Sequence, residues 1–147
     1  MGHCIHAIIG ARESIHKLAD DWVHADEIEL PQGFGMVFCT INLLDDVEEL
    51  MENSDEPCFE ELEYFDGAVK ELMERYSFQT KLVYIETDYC GGFGTQSGVL
   101  YENGKIAIAS KSGEGTINAL LKELGVRRTP DKDEFDMLEL WKYRHMD

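Results

Sequence analysis

KLVYIETDYCGGFGTQSGVLYENGKIAIAS (residues 81–110) decides the architecture of this chain. Residues 82–89 alternate and are rich in β-branched and aromatic side chains, which predicts a strand. A glycine-rich loop over residues 91–98 follows, and the rest folds back as a hairpin closed by Asn103-Gly104. A two-residue Asn-Gly connection favours a type I′ turn, because both central residues must take positive φ. That turn pairs Glu102 with Lys105, Tyr101 with Ile106, Leu100 with Ala107 and Val99 with Ile108. Val99, Tyr101, Ile106 and Ile108 are then expected to share a core face, with Leu100 and Ala107 on the other.

Upstream, residues 3–9 form an isoleucine-rich strand whose one face carries Ile5, Ala7 and Ile9. In residues 13–24 the spacing of Ile15, Leu18, Ala19, Trp22 and Val23 predicts an amphipathic helix. Turn chemistry at Leu30-Pro31-Gln32-Gly33 leads into a strand over residues 34–41, apolar on both faces and so expected to be covered on both. Asn42 is the expected N-cap of a short helix with Leu43, Val47, Leu50 and Met51 inward. Residues 53–57 are turn-like. A helix over residues 59–76 is predicted from Leu62, Phe65, Val69, Leu72, Met73 and Tyr76, with Gly67 inside it. Downstream, Ile117, Leu120, Leu121 and Leu124 mark a helix that Gly125 terminates, and the tail holds a weaker helical pattern with Phe135, Leu138 and Trp141 inward. Consecutive central strands and a tight hairpin predict an α+β fold: residues 1–147 as a single domain, with an antiparallel or mixed sheet of about five strands and amphipathic helices packed on it.

The 147 residues carry a formal net charge of −17 at pH 7, unevenly spread. Up to Ser77 there are 19 acids against 4 bases, and from Phe78 onward 11 against 9. Ten carboxylates lie between Asp45 and Glu63 without one Lys, Arg or His. Such a field repels nucleic acid and anionic membranes and attracts a basic partner. Apolar runs are far shorter than the ~20 residues of a membrane span. The N-terminal residues MGHCIHAIIGARES lack a basic leader, and His6 stands where a myristoylation pattern wants Ser or Thr. Cys4, Cys39, Cys58 and Cys90 make no CxxC pair, the pattern of reduced thiols. A cytoplasmic protein is expected.

Candidate sites divide into two groups. Residues 91–98 match neither G-x-G-x-x-G nor the Walker pattern and run into a strand, so architecture explains their glycines better than phosphate binding does. Cys90 would need a base to act as a nucleophile, and its sequence neighbours Glu86 and Asp88 are acids. Glu86 and Asp88 share a strand face beside Tyr84, a pair able to perform acid–base work or to form a solvated rim. Together with Gln96 these residues make the alternative site of a small enzyme. No histidine or cysteine spacing predicts a metal site, and no cofactor is expected. The acidic band is the second group. Asp45, Glu48, Glu49, Glu52, Glu56, Glu60, Glu61 and Glu63 are the expected contact surface, since ten acids without a compensating base cost self-repulsion that solubility does not require.

The run ETDYCGGFGTQSGVLYENGKI from Glu86, then LGV, DEFDMLEL and the closing Arg144-His145, resembles a family of small uncharacterised bacterial proteins with a GGxGxQ loop and a C-terminal DEFD segment. The resemblance covers little more than a third of the chain, and Cys90 replaces the aromatic residue before the glycines. It implies no activity. It does imply that Gly91, Gly92, Gly94 and Gln96 form one patch with Asp133, Glu134, Phe135 and Asp136. The leading expectation is a non-enzymatic acidic binding protein, like an immunity protein or inhibitor, that covers a basic protein partner such as a nuclease toxin.

Overall fold

The computed structural model describes residues 2–50, 62–90 and 93–146. Among the described residues six strands form one antiparallel sheet: β1 (His3–Ala11), β2 (Ile28–Leu30), β3 (Phe34–Phe38), β4 (Lys81–Cys90), β5 (Phe93–Glu102) and β6 (Lys105–Ser112), in the order β2-β3-β1-β4-β5-β6. The α+β class and the antiparallel sheet are as the sequence predicts. The added strand, β2, spans three residues and is too short to show a period.

Both faces of the sheet are covered. On one, Ile8, Val37, Leu82, Tyr84, Val99 and Tyr101 pack beneath α1 (Arg12–Asp21), α2 (Ile41–Glu49) and α3 (Gly67–Tyr76). On the other, Ile5, Ala7, Ile9, Met36, Val83, Ile85 and Leu100 pack beneath α4 (Thr116–Leu124), α5 (Glu134–Met137) and a 3₁₀ turn at Leu140–Lys142. Met36 and Val37 enter opposite cores, which accounts for the two-sided apolar pattern of β3.

Helix boundaries shift where a polar side chain caps better than the apolar period suggests. Asp66 accepts from the Ala68 and Val69 N–H groups, so α3 starts at Gly67 and not upstream. Leu62 and Phe65 are fully buried nonetheless, from a non-helical segment. Thr40, not Asn42, caps α2 by accepting from the Leu43 N–H at 3.3 Å. Leu43 and Val47 point inward as expected, but Leu50 is 73% exposed, and α1 ends before Val23, which is 83% exposed. The turn expected over residues 53–57, Met51, the start of the helix expected from residue 59, Gly91, Gly92 and the carboxylates Glu52, Asp55, Glu56, Glu60 and Glu61 lie outside the described residues.

The hairpin closes as predicted, with Asn103 and Gly104 at φ 53° and 76° and Glu102 opposite Lys105. Its register then slips. Leu100 faces Ile108 instead of Ala107, because β6 gains a residue between the Tyr101–Ile106 and Leu100–Ile108 pairs, and the register shifts again before Gly98, which faces Lys111. Ile108 consequently joins Leu100 in the α4 core, Val99 and Tyr101 enter the opposite core, and Ile106 is left 45% exposed. The expected loop is largely strand. Gly94 to Gly98 lie in β5 without positive φ, and their glycines serve close approach: a Cβ at Gly98 would stand 2.5 Å from Leu120 Cδ1 and 2.7 Å from the Tyr84 carbonyl oxygen. In the tail, Leu138 and Leu140 are buried and Trp141 is half-exposed, so the inward aromatic expected at 141 is corrected.

Candidate functional site

Strand alternation puts Tyr84, Glu86, Asp88 and Cys90 on the α1–α3 side of β4, with His6 opposite Glu86 and Cys4 opposite Asp88 on β1. Glu86 is 7% exposed and its carboxylate is occupied: it accepts from the Glu63 N–H and Tyr64 N–H, each at 2.8 Å, and from the Tyr84 hydroxyl at 2.6 Å. Burial raises its pKa, against the lowering effect of those three donors. Its work is to hold the segment ahead of α3, where Tyr64 stacks on His6 at 3.9 Å between ring centroids. Asp88 and Cys90 are exposed further along the same face. Four of the five histidines have partners other than Cys90: His3 with Thr87 and Leu140, His6 with Tyr64, His16 with Glu27 and His24 with Asp46.

Of the acidic residues expected to form a contact surface, Asp45 and Glu49 stand exposed on α2, Glu48 is half-buried beside them, and Glu63 is exposed ahead of α3. Their neighbour Asp46 pairs with His24 at 2.6 Å. Glu52, Glu56, Glu60 and Glu61 lie outside the described residues.

The opposite face of the sheet carries the most developed site. There Gly2, His3, Thr87, Tyr89, Gln96, Ile117, Asn118, Asp133, Phe135, Trp141 and Arg144 line a half-open cavity of about 350 Å³. Among the described residues five segments meet at it: the start of β1, the end of β4, the first half of β5, the first turn of α4, and the C-terminal segment from Asp133. That segment is fastened to β1 by the Cys4 N–H, which donates to the Arg144 carbonyl at 2.7 Å.

Two amide side chains organise the cavity. Gln96 Oε1 accepts from the Ile117 N–H at 2.9 Å while its Nε2 donates to the Tyr89 hydroxyl at 2.8 Å. Asn118 Oδ1 accepts from the Phe135 N–H at 2.8 Å while its Nδ2 donates to Asp133 Oδ2 at 3.1 Å. A backbone N–H can only donate, so each amide's orientation is fixed by its backbone partner. His3 is fixed the same way. Its Nε2 donates to the Leu140 carbonyl at 3.0 Å, and its Nδ1 accepts from the Thr87 hydroxyl at 2.7 Å, that hydroxyl itself accepting from the Ile5 N–H. Burial lowers the pKa of this imidazole, which disfavours its charged form.

No protein-family model, curated protein or solved structure matches the chain. The geometry therefore carries the functional reading by itself. The four members of the alternative site do not converge, since Gln96 faces the cavity across the sheet from Glu86, Asp88 and Cys90. The patch implied by the resemblance does form in part: Gln96, Asp133 and Phe135 share the cavity, and the Asp136 N–H donates to Asp133 Oδ1 at 2.9 Å. Glu134 points elsewhere and is 3% exposed.

His3, Tyr89, Asn118 and Arg144 escape sequence reasoning because they come from distant parts of the chain. Tyr89 could have been found, being one residue out of phase with Asp88 and hence on the other face. Among the described residues no group of three or more His, Cys, Asp or Glu stands close enough to hold a metal ion, and no helix is long and apolar enough to cross a membrane.

Proposed function

We propose that this protein is a binding protein for a small organic molecule held in the cavity between the sheet, α4 and the C-terminal segment. The observation that carries this reading is the convergence of two pre-oriented polar pairs, Gln96–Tyr89 and Asn118–Asp133, on a concave space walled by Ile117, Phe135 and Trp141. A few placed polar groups among apolar walls is the usual make-up of a ligand pocket, and the volume suits a molecule of one or two rings. Amide chemical-shift mapping with a fragment library tests it. Hits are expected to shift Ile117, Asn118 and Phe135 and to weaken at least fivefold in Phe135→Ala. A library without hits at these residues sinks the reading.

A second reading concerns the opposite side of the sheet, where the acidic helices would cover a basic surface of a protein partner such as a nuclease toxin. What favours it is α2, which exposes Asp45 and Glu49 between its first residue Ile41 and its C-cap Leu50, 78% and 73% exposed, so that charge for steering adjoins apolar area for contact. Affinity capture at low and high salt, with wild type and a triple Asp45→Lys, Glu48→Lys, Glu49→Lys variant, tests this role. A basic partner retained equally by both proteins removes it.

A further inference from the structure

Beside the cavity the sheet lacks a strand, and the gap selects a ligand. Resting on the cavity reading above, we infer that the ligand is the free amino terminus of an extended peptide, which adds a short strand to β5 at Gly94 and lays an apolar second side chain on the cavity face.

The gap comes from unequal pairing along β5. That strand stays paired with β4 down to Phe93 and Cys90, whereas its ladder with β6 stops at Ser97 and Ser112. The chain then leaves the sheet through Gly113, whose N–H donates to the Gln96 carbonyl at 3.0 Å. This bond shows which way β5 is turned. Successive residues of a strand direct their N–H and C=O to opposite neighbours, so Gly94, two residues from Gln96, directs both groups to the side that β6 has left. Among the described residues no strand and no backbone hydrogen bond meets Gly94 there. A donor and an acceptor side by side on a strand edge are satisfied together by one residue of an extended peptide.

The side chain of that peptide residue has a place to go. Gly94 stands in one row across the sheet with Tyr89 and His3, so a residue opposite Gly94 points to the cavity face with them. A second cavity of about 430 Å³ opens there, bounded by Phe93, Gly113 and Glu114 and sharing Tyr89 and Gln96 with the first. Because β6 occupies the track ahead, the peptide must begin or end beside Gly113 and Glu114. Glu114 decides which. Its carboxylate is exposed and in no ion pair among the described residues, on a chain of net charge −17, and it attracts a terminal ammonium while repelling a terminal carboxylate. The start of α4 does not reverse this preference, since the Thr116 N–H already donates to the Gly113 carbonyl and the Ile117 N–H to Gln96 Oε1. An amino terminus at this end makes the peptide antiparallel to β5, as β6 is.

The test is amide-shift titration with alanyl-phenylalanyl-alaninamide, with the propanoyl compound that lacks only its ammonium, and with the same peptide N-methylated at the phenylalanine or at the last alanine. Shifts are expected at Gly94, Gln96 and Ile117. Methylating the phenylalanine nitrogen removes the N–H that faces Gly94 and should weaken binding roughly five- to tenfold, whereas the last alanine nitrogen faces away from β5 and its methylation should cost less than about twofold. The ammonium should give roughly a threefold lead over the propanoyl compound at low salt. Glu114→Gln, a change at an exposed position, should remove that lead and keep the ranking of the methylated pair. If the two methylated peptides bind alike, or the propanoyl compound binds wild type as tightly as the amine, the inference is overturned while the cavity reading stands. Peptides that shift none of these residues while library fragments shift Ile117, Asn118 and Phe135 overturn the inference alone. Silence from peptides and fragments together overturns both.

Discussion

Gln96 on β5 donates to the Tyr89 hydroxyl on β4 at 2.8 Å while its carbonyl oxygen caps the first turn of α4 at Ile117. The residue preceding that helix is Gly115, which has no side chain to cap with, so a strand residue does the work of an N-cap. Gln96→Ala leaves the Ile117 N–H without its acceptor and is expected to cost about 1–2 kcal/mol, read by urea denaturation. Gln96→Glu should keep the fold, since a carboxylate still accepts from Ile117 and suits a helix N-terminus. It would also turn the Tyr89 hydroxyl from acceptor to donor, so fragment binding at Ile117 and Phe135 should weaken in a protein that stays folded.

Gly98 is where α4 approaches the sheet. An added Cβ would press on Leu120 Cδ1, which can rotate, and on the Tyr84 carbonyl oxygen, which cannot. Gly98→Ala should therefore destabilise by about 1–3 kcal/mol. In a Leu120→Ala background the same change should cost less but not vanish, as a double-mutant cycle by chemical denaturation would show. Full relief in that background would mean that the backbone contact does not matter.

Glu86 makes a pH prediction whose sign follows from its burial. Its pKa is raised above the ordinary 4.5, so between that value and the folded value the folded state holds more protons than the unfolded. Stability then falls as pH rises through this window. Glu86→Gln removes the titration while losing a backbone acceptor at every pH. The stability of the variant relative to wild type should accordingly improve as pH rises from 4.5 through the window, measured by denaturation at stepped pH. A flat difference would show that the three donors cancel burial, and one running the other way that they outweigh it.

Thiol reactivity should separate by position. Cys4 and Cys90 are exposed on the sheet, whereas Cys39 is 2% exposed, with its thiol pushed up by burial and further by Asp66 and Glu86. Alkylation followed by peptide mass mapping is expected to label Cys4 and Cys90 in the native protein and Cys39 only on unfolding. Native labelling of Cys39 at a rate like theirs would contradict its burial in the core beneath α1, α2 and α3.

Much of the fold is legible in the chain because alternation and helical spacing report burial directly. The burial of Leu62, Phe65, Val69, Leu72, Met73 and Tyr76 is readable from spacing, although two of the six are not helical: Leu62 and Phe65 reach the core from a turn-containing segment, since Asp66 caps the helix behind them. Periodicity tells which side chains go inward, not which backbone carries them. The bulge in β6 was invisible for the related reason that a turn fixes register only until a residue is inserted.

The sequence by itself determined that strands and amphipathic helices build an α+β protein, where its hairpin turns, and that acids crowd its first half. These are local or compositional properties, set by each residue's neighbours in the chain. Only the tertiary structure decided that β1 lies between β3 and β4, that Gln96 faces away from Glu86, Asp88 and Cys90, and that His3, Tyr89, Asn118 and Arg144 meet in one cavity. The physical reason is that strand pairing joins residues such as His3 and Tyr89 across most of a domain's length, and no local preference encodes which strand a strand will choose.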